Sequence, residues 1–194
     1  METQARMSYE IQLARFTIND YVRLAILSAA FIALGYLFGL IFTTLFGSGF
    51  GVVNAYVQWF FLCLCILIIG KIGTCSIMLL LFSLSVIPVA IWGPPGPHKI
   101  GLALAISVVF ESILFVLRKR PFLAVLLAAP ITILPIPFYI LWVNKLMGVP
   151  TEKFESLVLK MALVGCVLGL LGAVTAIPVF KKLQKRGITR GPEM

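Results

Sequence analysis

Glu111 is the only acidic residue well inside an apolar stretch of this chain. An ionised carboxylate at such depth costs on the order of 3 kcal/mol by insertion measurements. Counted from Lys99, Glu111 lies about twelve residues, roughly 18 Å, into its helix and so near the bilayer midplane. Two chemistries follow: a carboxylate that binds a cationic or amino-bearing ligand, or a neutral Glu hydrogen-bonded between helices. A second group, Asn54, Tyr56, Gln58, Trp59, Trp92, His98, Tyr139, Trp142 and Asn144, falls at the outer ends of other apolar stretches. Tyr56 and Trp59 share a helical face, as do Asn54 and Gln58. Trp and Tyr also serve as interfacial anchors, a reading open to Trp92 and Trp142, whereas Trp59, set deeper, suits stacking on a flat ligand. The sole histidine, His98, reads as a loop residue rather than a metal ligand.

Two stripes of small residues are suited to close helix approach. Ala25, Ala29 and Ala33 recur at four-residue spacing, with Gly35 and Gly39 nearby, and Gly165, Gly169, Gly172, Ala173 and Ala176 form a second set. Such stripes serve either internal packing or docking onto a partner. Catalytic arrangements are not found. Asp20 is the only aspartate, one histidine cannot form a zinc pair, and no histidine lies in an apolar run, so the chain reads as a non-enzyme. Cys63, Cys65, Cys75 and Cys166 lack C-x-x-C spacing and behave as small hydrophobes, with no metal site implied.

The elements that position these residues are membrane helices. With 61% hydrophobic and 12% charged residues and a mean hydropathy of +1.08, the 194 residues leave lipid as the solvent for most of the surface. About 20 residues cross a bilayer, so the chain accommodates six spans, approximately 21–45, 52–70, 73–92, 99–117, 122–144 and 156–180. The fold class is therefore all-α, one bundle of about six transmembrane helices over 21–183. It is flanked by a cytoplasmic or interfacial segment 1–20, in which Met7, Ile11, Leu13 and Phe16 suggest a short surface helix, and a basic tail 184–194. Nothing resembles a cleaved signal peptide.

With the N-terminus inside, twelve of the sixteen Lys and Arg residues fall on the cytoplasmic side, leaving Lys99, Lys145, Lys153 and Lys160 outside. That bias puts both ends in the cytoplasm and makes the protein a multi-pass protein of the cell membrane. It also accounts for the net charge of +9 without nucleic acid. Pro130, Pro135 and Pro137 should kink or unwind the fifth span. No soluble engine fits in this length, so energy must come from an ion gradient or from partner chains.

Six helices with both ends inside, the Ala25-x-x-x-Ala29 stripe and polar groups on the outer half resemble the S-components of energy-coupling factor (ECF) vitamin transporters, over roughly residues 21–185. The resemblance implies a substrate-binding subunit that captures a small vitamin-like molecule from outside. Its partners would be a coupling transmembrane subunit, touched by Ala25, Ala29 and Ala33, and cytoplasmic ATPases that use the ATP, with no cofactor in this chain. The absence of a P-loop agrees with that division of labour. The turn Gly93-Pro94-Pro95-Gly96-Pro97 before the Glu111 helix looks like the thiamin or hydroxymethylpyrimidine type. There Glu111 would meet a cationic or aminopyrimidine ligand, Trp59 or Trp92 would stack on its ring, and the loop from Phe46 to Gly51 would close over it. A ligand-free membrane scaffold and a stand-alone ion-coupled permease are the other readings, the latter short of ionisable residues at depth.

Overall fold

A computed structural model describes residues 10–13, 15–46, 54–89 and 92–187. The predicted lid from Phe46 to Gly51 lies almost wholly outside the described residues, as does Met7. Among the described residues the chain is all-α, with eight helices: α1 (Ile18–Phe46), α2 (Asn54–Ile69), α3 (Thr74–Val86), α4 (His98–Val116), α5 (Pro121–Ile133), α6 (Ile136–Leu146), α7 (Glu152–Glu155) and α8 (Val158–Lys185).

Four segments, Ile18–Gly39, His98–Val116, the α5–α6 pair Pro121–Leu146 and Val158–Lys185, are long and apolar enough to cross a membrane, which makes this a multi-pass membrane protein. With the shorter apolar α2 and α3 they complete the six-segment bundle that hydropathy predicts. The fifth segment breaks at Leu134–Pro135, because Pro135 and Pro137 cannot donate back to the preceding turn. Helical bonding resumes with Tyr139 N–H donating to Pro135 O at 3.0 Å.

The third helix ends at Val86, six residues short of the predicted boundary at 92. Ile87 still has helical geometry (φ −47°, ψ −50°), but Pro88 has no N–H with which to continue the ladder, and a turn from Val86 to Val89 takes over. At 13 residues, α3 is only about 20 Å long.

All the connections assigned to the cytoplasm gather at one end. Gln12 N–H donates to Gly70 O (2.7 Å), Ile72 N–H donates to Gln12 O (3.1 Å), and Ile11 N–H donates to Arg118 O (3.1 Å). Phe122 at the start of α5 packs on Phe180 near the end of α8, ring centroids 6.1 Å apart. Residues 10–13 and 15–17 therefore form a non-helical strap with Ile11 buried and Leu13 exposed, in place of the short surface helix expected there. The reason is local: backbone groups of the strap pair with the exposed carbonyl and amide of the α2–α3 turn, which an amphipathic helix would leave unmet.

Helix α1 then starts at a reciprocal cap. Asp20 N–H donates to Thr17 Oγ1 (3.3 Å), and Thr17 N–H donates to Asp20 Oδ2 (2.7 Å). The same carboxylate pairs with Lys71 Nζ at 2.7 Å, tying α1 to the α2–α3 turn. At the opposite end, Lys145 pairs with Glu155 at 2.9 Å; that ammonium and the Thr151 hydroxyl hold the Glu155 carboxyl below its usual range.

Candidate functional site

The outer half of the bundle assembles part of the predicted polar group. Asn54, the first residue of α2, is buried and donates Nδ2–H to Gly35 O on α1 at 2.9 Å. One turn on, buried Gln58 accepts from Trp92 Nε1–H through Oε1 at 3.3 Å. Trp92 holds a left-handed backbone, φ 61°, at a cost of about 1–2 kcal/mol for a residue with a Cβ. Its indole meets Phe82 of α3 edge-on, with centroids 4.9 Å apart, and the bond to Gln58 fixes its other side. The turn continues through Gly93 (φ 96°) to the start of α4, where Tyr139 of α6 donates its hydroxyl to His98 O at 2.9 Å.

Among the described residues four buried polar atoms have no hydrogen-bond partner of good geometry: Ser28 Oγ on α1, Asn54 Oδ1 and Trp59 Nε1 on α2, and His98 Nε2, which lies near the Trp92 backbone. Buried polar groups are paired in the great majority of cases, so Asn54 Oδ1 and Trp59 Nε1, both on α2, stand out as exceptions. Trp59, 1% exposed, lies five residues inside α2.

Other predicted residues turn elsewhere. Tyr56 donates its hydroxyl to Thr175 Oγ1 of α8 at 3.2 Å and stacks on Phe60. Trp142 is 57% exposed beside Tyr139, as an interfacial anchor would be. Asn144 is half-buried near the end of α6, its carbonyl accepting from Val149 N–H at 3.0 Å.

Glu111 does not join this group. It lies thirteen residues along α4 from His98, about 20 Å, in the last third of that helix. Its Oε1 accepts the Ser76 N–H at 2.9 Å, in the first turn of α3, where helix N–H groups have no partner of their own.

The other end of α3 is met by Lys99, expected as one of the few cations on the outer side. Lys99 is completely buried, and its Nζ donates to Val86 O at 2.7 Å and to Val89 O. One helix thus presents a carboxylate to the N-terminus of its antiparallel neighbour and an ammonium to the C-terminus, each matched to the helix dipole. That pairing lets a helix of 13 residues end inside an apolar bundle.

A mild effect follows for Glu111→Gln, which keeps an acceptor for Ser76: a loss of about 1 kcal/mol, against about 2–3 kcal/mol for Glu111→Leu. Thermal unfolding in detergent reads the difference; equal midpoints for the two variants would remove the capping role.

The two small-residue stripes separate cleanly. Gly165, Gly169, Gly172, Ala173 and Ala176 of α8 are all buried, and a Cβ on Gly172 would come within 2.8 Å of the Tyr56 and Phe60 backbone on α2. Ala25, Ala29 and Ala33 of α1 are all exposed, on a face shared with Val22, Ile26 and Leu37. The four cysteines are free; Cys63, Cys65 and Cys75 are buried in the core.

Compared with protein-family models, with curated proteins and with solved structures, the chain gives no match.

Proposed function

We propose that this protein is the substrate-binding membrane subunit of an ATP-driven uptake transporter, taking a small vitamin-like molecule from the outer face. The observation that carries the reading is the two unpartnered buried atoms of α2, Asn54 Oδ1 and Trp59 Nε1, on the helix whose Gln58 holds Trp92. They offer an acceptor and a donor, and Trp59 and Trp92 bring flat indole surfaces, which suits a heteroaromatic ring bearing both donors and acceptors. Glu111 is engaged with Ser76 about 20 Å along α4 from His98, so the thiamin-like cation loses its counter-charge and an uncharged ligand fits better.

The exposed alanines of α1 support the partner half of the reading. A coupling membrane subunit could approach Ala25, Ala29 and Ala33 closely, since small residues let helix backbones meet where lipid removes the hydrophobic drive. Cytoplasmic ATPases would supply the energy. The same exposed face favours a second reading, a ligand-free scaffold whose only task is assembly.

Mass spectrometry of the compounds released on denaturing the purified protein tests the choice, with a flat heteroaromatic compound expected. The double variant Ala25→Leu, Ala29→Leu should abolish copurification with the coupling subunit and leave both the unfolding midpoint and the released compound unchanged. Copurification that survives the double variant overturns the partner surface. Release of no small molecule favours the scaffold.

A further inference from the structure

Two basic clusters, far apart in sequence, meet at the inner end of the bundle. Arg118, Lys119 and Arg120 form the α4–α5 turn, and Lys181, Lys182 and Lys185 close α8. The packing of Phe122 on Phe180 brings them side by side, and Lys181 Nζ lies 5.1 Å above the Phe122 ring, so a cation from one cluster rests on an aromatic of the other. Arg118 in turn lies 5.8 Å from the Phe115 ring and is the member that pairs with an acid, Glu10 at 3.4 Å on an exposed surface.

Directly on the membrane side of these charges the surface is apolar and open. Val116 is 77% exposed, Phe115 51% and Leu123 39%. Cations at the rim with an exposed aliphatic and aromatic wall beneath them match a molecule that carries a phosphate at one end and hydrocarbon at the other.

We infer that the junction of the α4–α5 turn with the end of α8 is a binding site for an anionic phospholipid of the cytoplasmic leaflet. The phosphate is met by Lys119, Arg120, Lys181 and Lys182, and an acyl chain lies along Phe115, Val116 and Leu123. The positive-inside rule alone asks only for a surplus of cations on this side. Here two separate clusters converge above a shared aromatic pair, next to an apolar wall, and that geometry gives the lipid both of its contacts at once. The site is independent of any substrate bound at the outer end.

The test uses the full chain, delipidated and reconstituted into nanodiscs of phosphatidylcholine alone or of an equimolar mixture with phosphatidylglycerol, with retained lipid counted by native mass spectrometry. Phosphatidylglycerol should be retained preferentially. A lysine or arginine near an anionic surface contributes roughly fivefold, so Lys119→Gln with Arg120→Gln, or Lys181→Gln with Lys182→Gln, should each cut retention by about thirtyfold. Lys145→Gln, at the opposite end, should leave retention at the wild-type level, and unfolding midpoints in phosphatidylcholine should stay level for all variants.

Equal retention of the two lipids overturns the site, as does wild-type retention in both double variants. Loss of equal size in Lys145→Gln would reduce the effect to diffuse attraction and overturn it too. Displacement of the lipid by inorganic phosphate at matched concentration would remove the acyl contribution, and preferential capture of a polyglutamate peptide would hand the patch to an acidic protein segment; either result overturns the lipid assignment.

Discussion

Lys99→Met is expected to lower the unfolding midpoint of the protein in detergent by roughly 6–12 °C, equivalent to about 3 kcal/mol. Two effects of opposite sign meet at this residue. Removing a fully buried ammonium relieves a desolvation cost of several kcal/mol, which by itself would stabilise the variant. Against that, Val89 O loses its charged donor and Val86 O is left with the Val89 N–H alone, at the end of a helix.

In water such carbonyls would be solvated and the first effect would win. Inside an apolar bundle, water is not there to take over, and an abandoned acceptor such as Val89 O costs about 1–3 kcal/mol on top of the charged hydrogen bond lost at Val86 O. The second effect therefore prevails. Amide exchange supplies a local readout: protection should fall in the last turn of α3 and at Gly96, whose N–H donates to Ile87 O at 3.0 Å. A variant at least as stable as wild type, with α3 still protected, would show that the carbonyls find other donors and that the lysine only burdens the fold.

The same pair of helices shows where sequence reasoning reaches its limit. Six apolar runs, a break at the prolines of the fifth and an inner end rich in cations are all one-dimensional properties, and the fold carries each of them. Lys99 and Glu111 are different. From its own surroundings alone, one is an outer-side cation at the start of a span and the other a carboxylate near the midplane. Their roles become visible only once α3 is known to be short and antiparallel to α4. A signal was present in the spacing: Gly73 and Pro88 bound at most fourteen residues between them, too few for an unaided crossing, and the next helix carries charges of the matching signs twelve residues apart.

The small-residue stripes make the same point by contrast. Ala25-x-x-x-Ala29 and Gly165-x-x-x-Gly169 have the same spacing, yet one faces outward and the other is buried against neighbouring helices. Spacing says that a helix offers a smooth face; which neighbour takes it depends on the tertiary arrangement. Within the candidate site, Gln58 meets Trp92 and Asn54 bonds to Gly35 of α1, while Tyr56 turns to α8 because Thr175 offers its hydroxyl an acceptor there.

Gly172→Ala is expected to cost about 2 kcal/mol, roughly 4–8 °C in unfolding midpoint, and Gly169→Ala close to nothing, although the nearer clash is at Gly169. A Cβ on Gly169 would meet Ile133 Cδ1 at 2.1 Å, but that atom is the far end of a side chain that can rotate away. The residual strain is then offset by the gain of about 1 kcal/mol when alanine replaces glycine within a helix.

A Cβ on Gly172 meets backbone atoms only: Phe60 N and Tyr56 O at 2.8 Å and Trp59 C at 3.3 Å. Backbone cannot rotate aside, so α2 and α8 must separate by several tenths of an ångström along the interface that the Tyr56–Thr175 hydrogen bond closes. Because α2 also carries Asn54, Gln58 and Trp59, the displacement reaches the outer polar group, and Gly172→Ala should reduce the amount of copurifying small molecule while Gly169→Ala retains it. Midpoints that rank the two variants in the opposite order would mean that α8 yields more readily than Ile133, and that the α2–α8 seam does not set the geometry of the site.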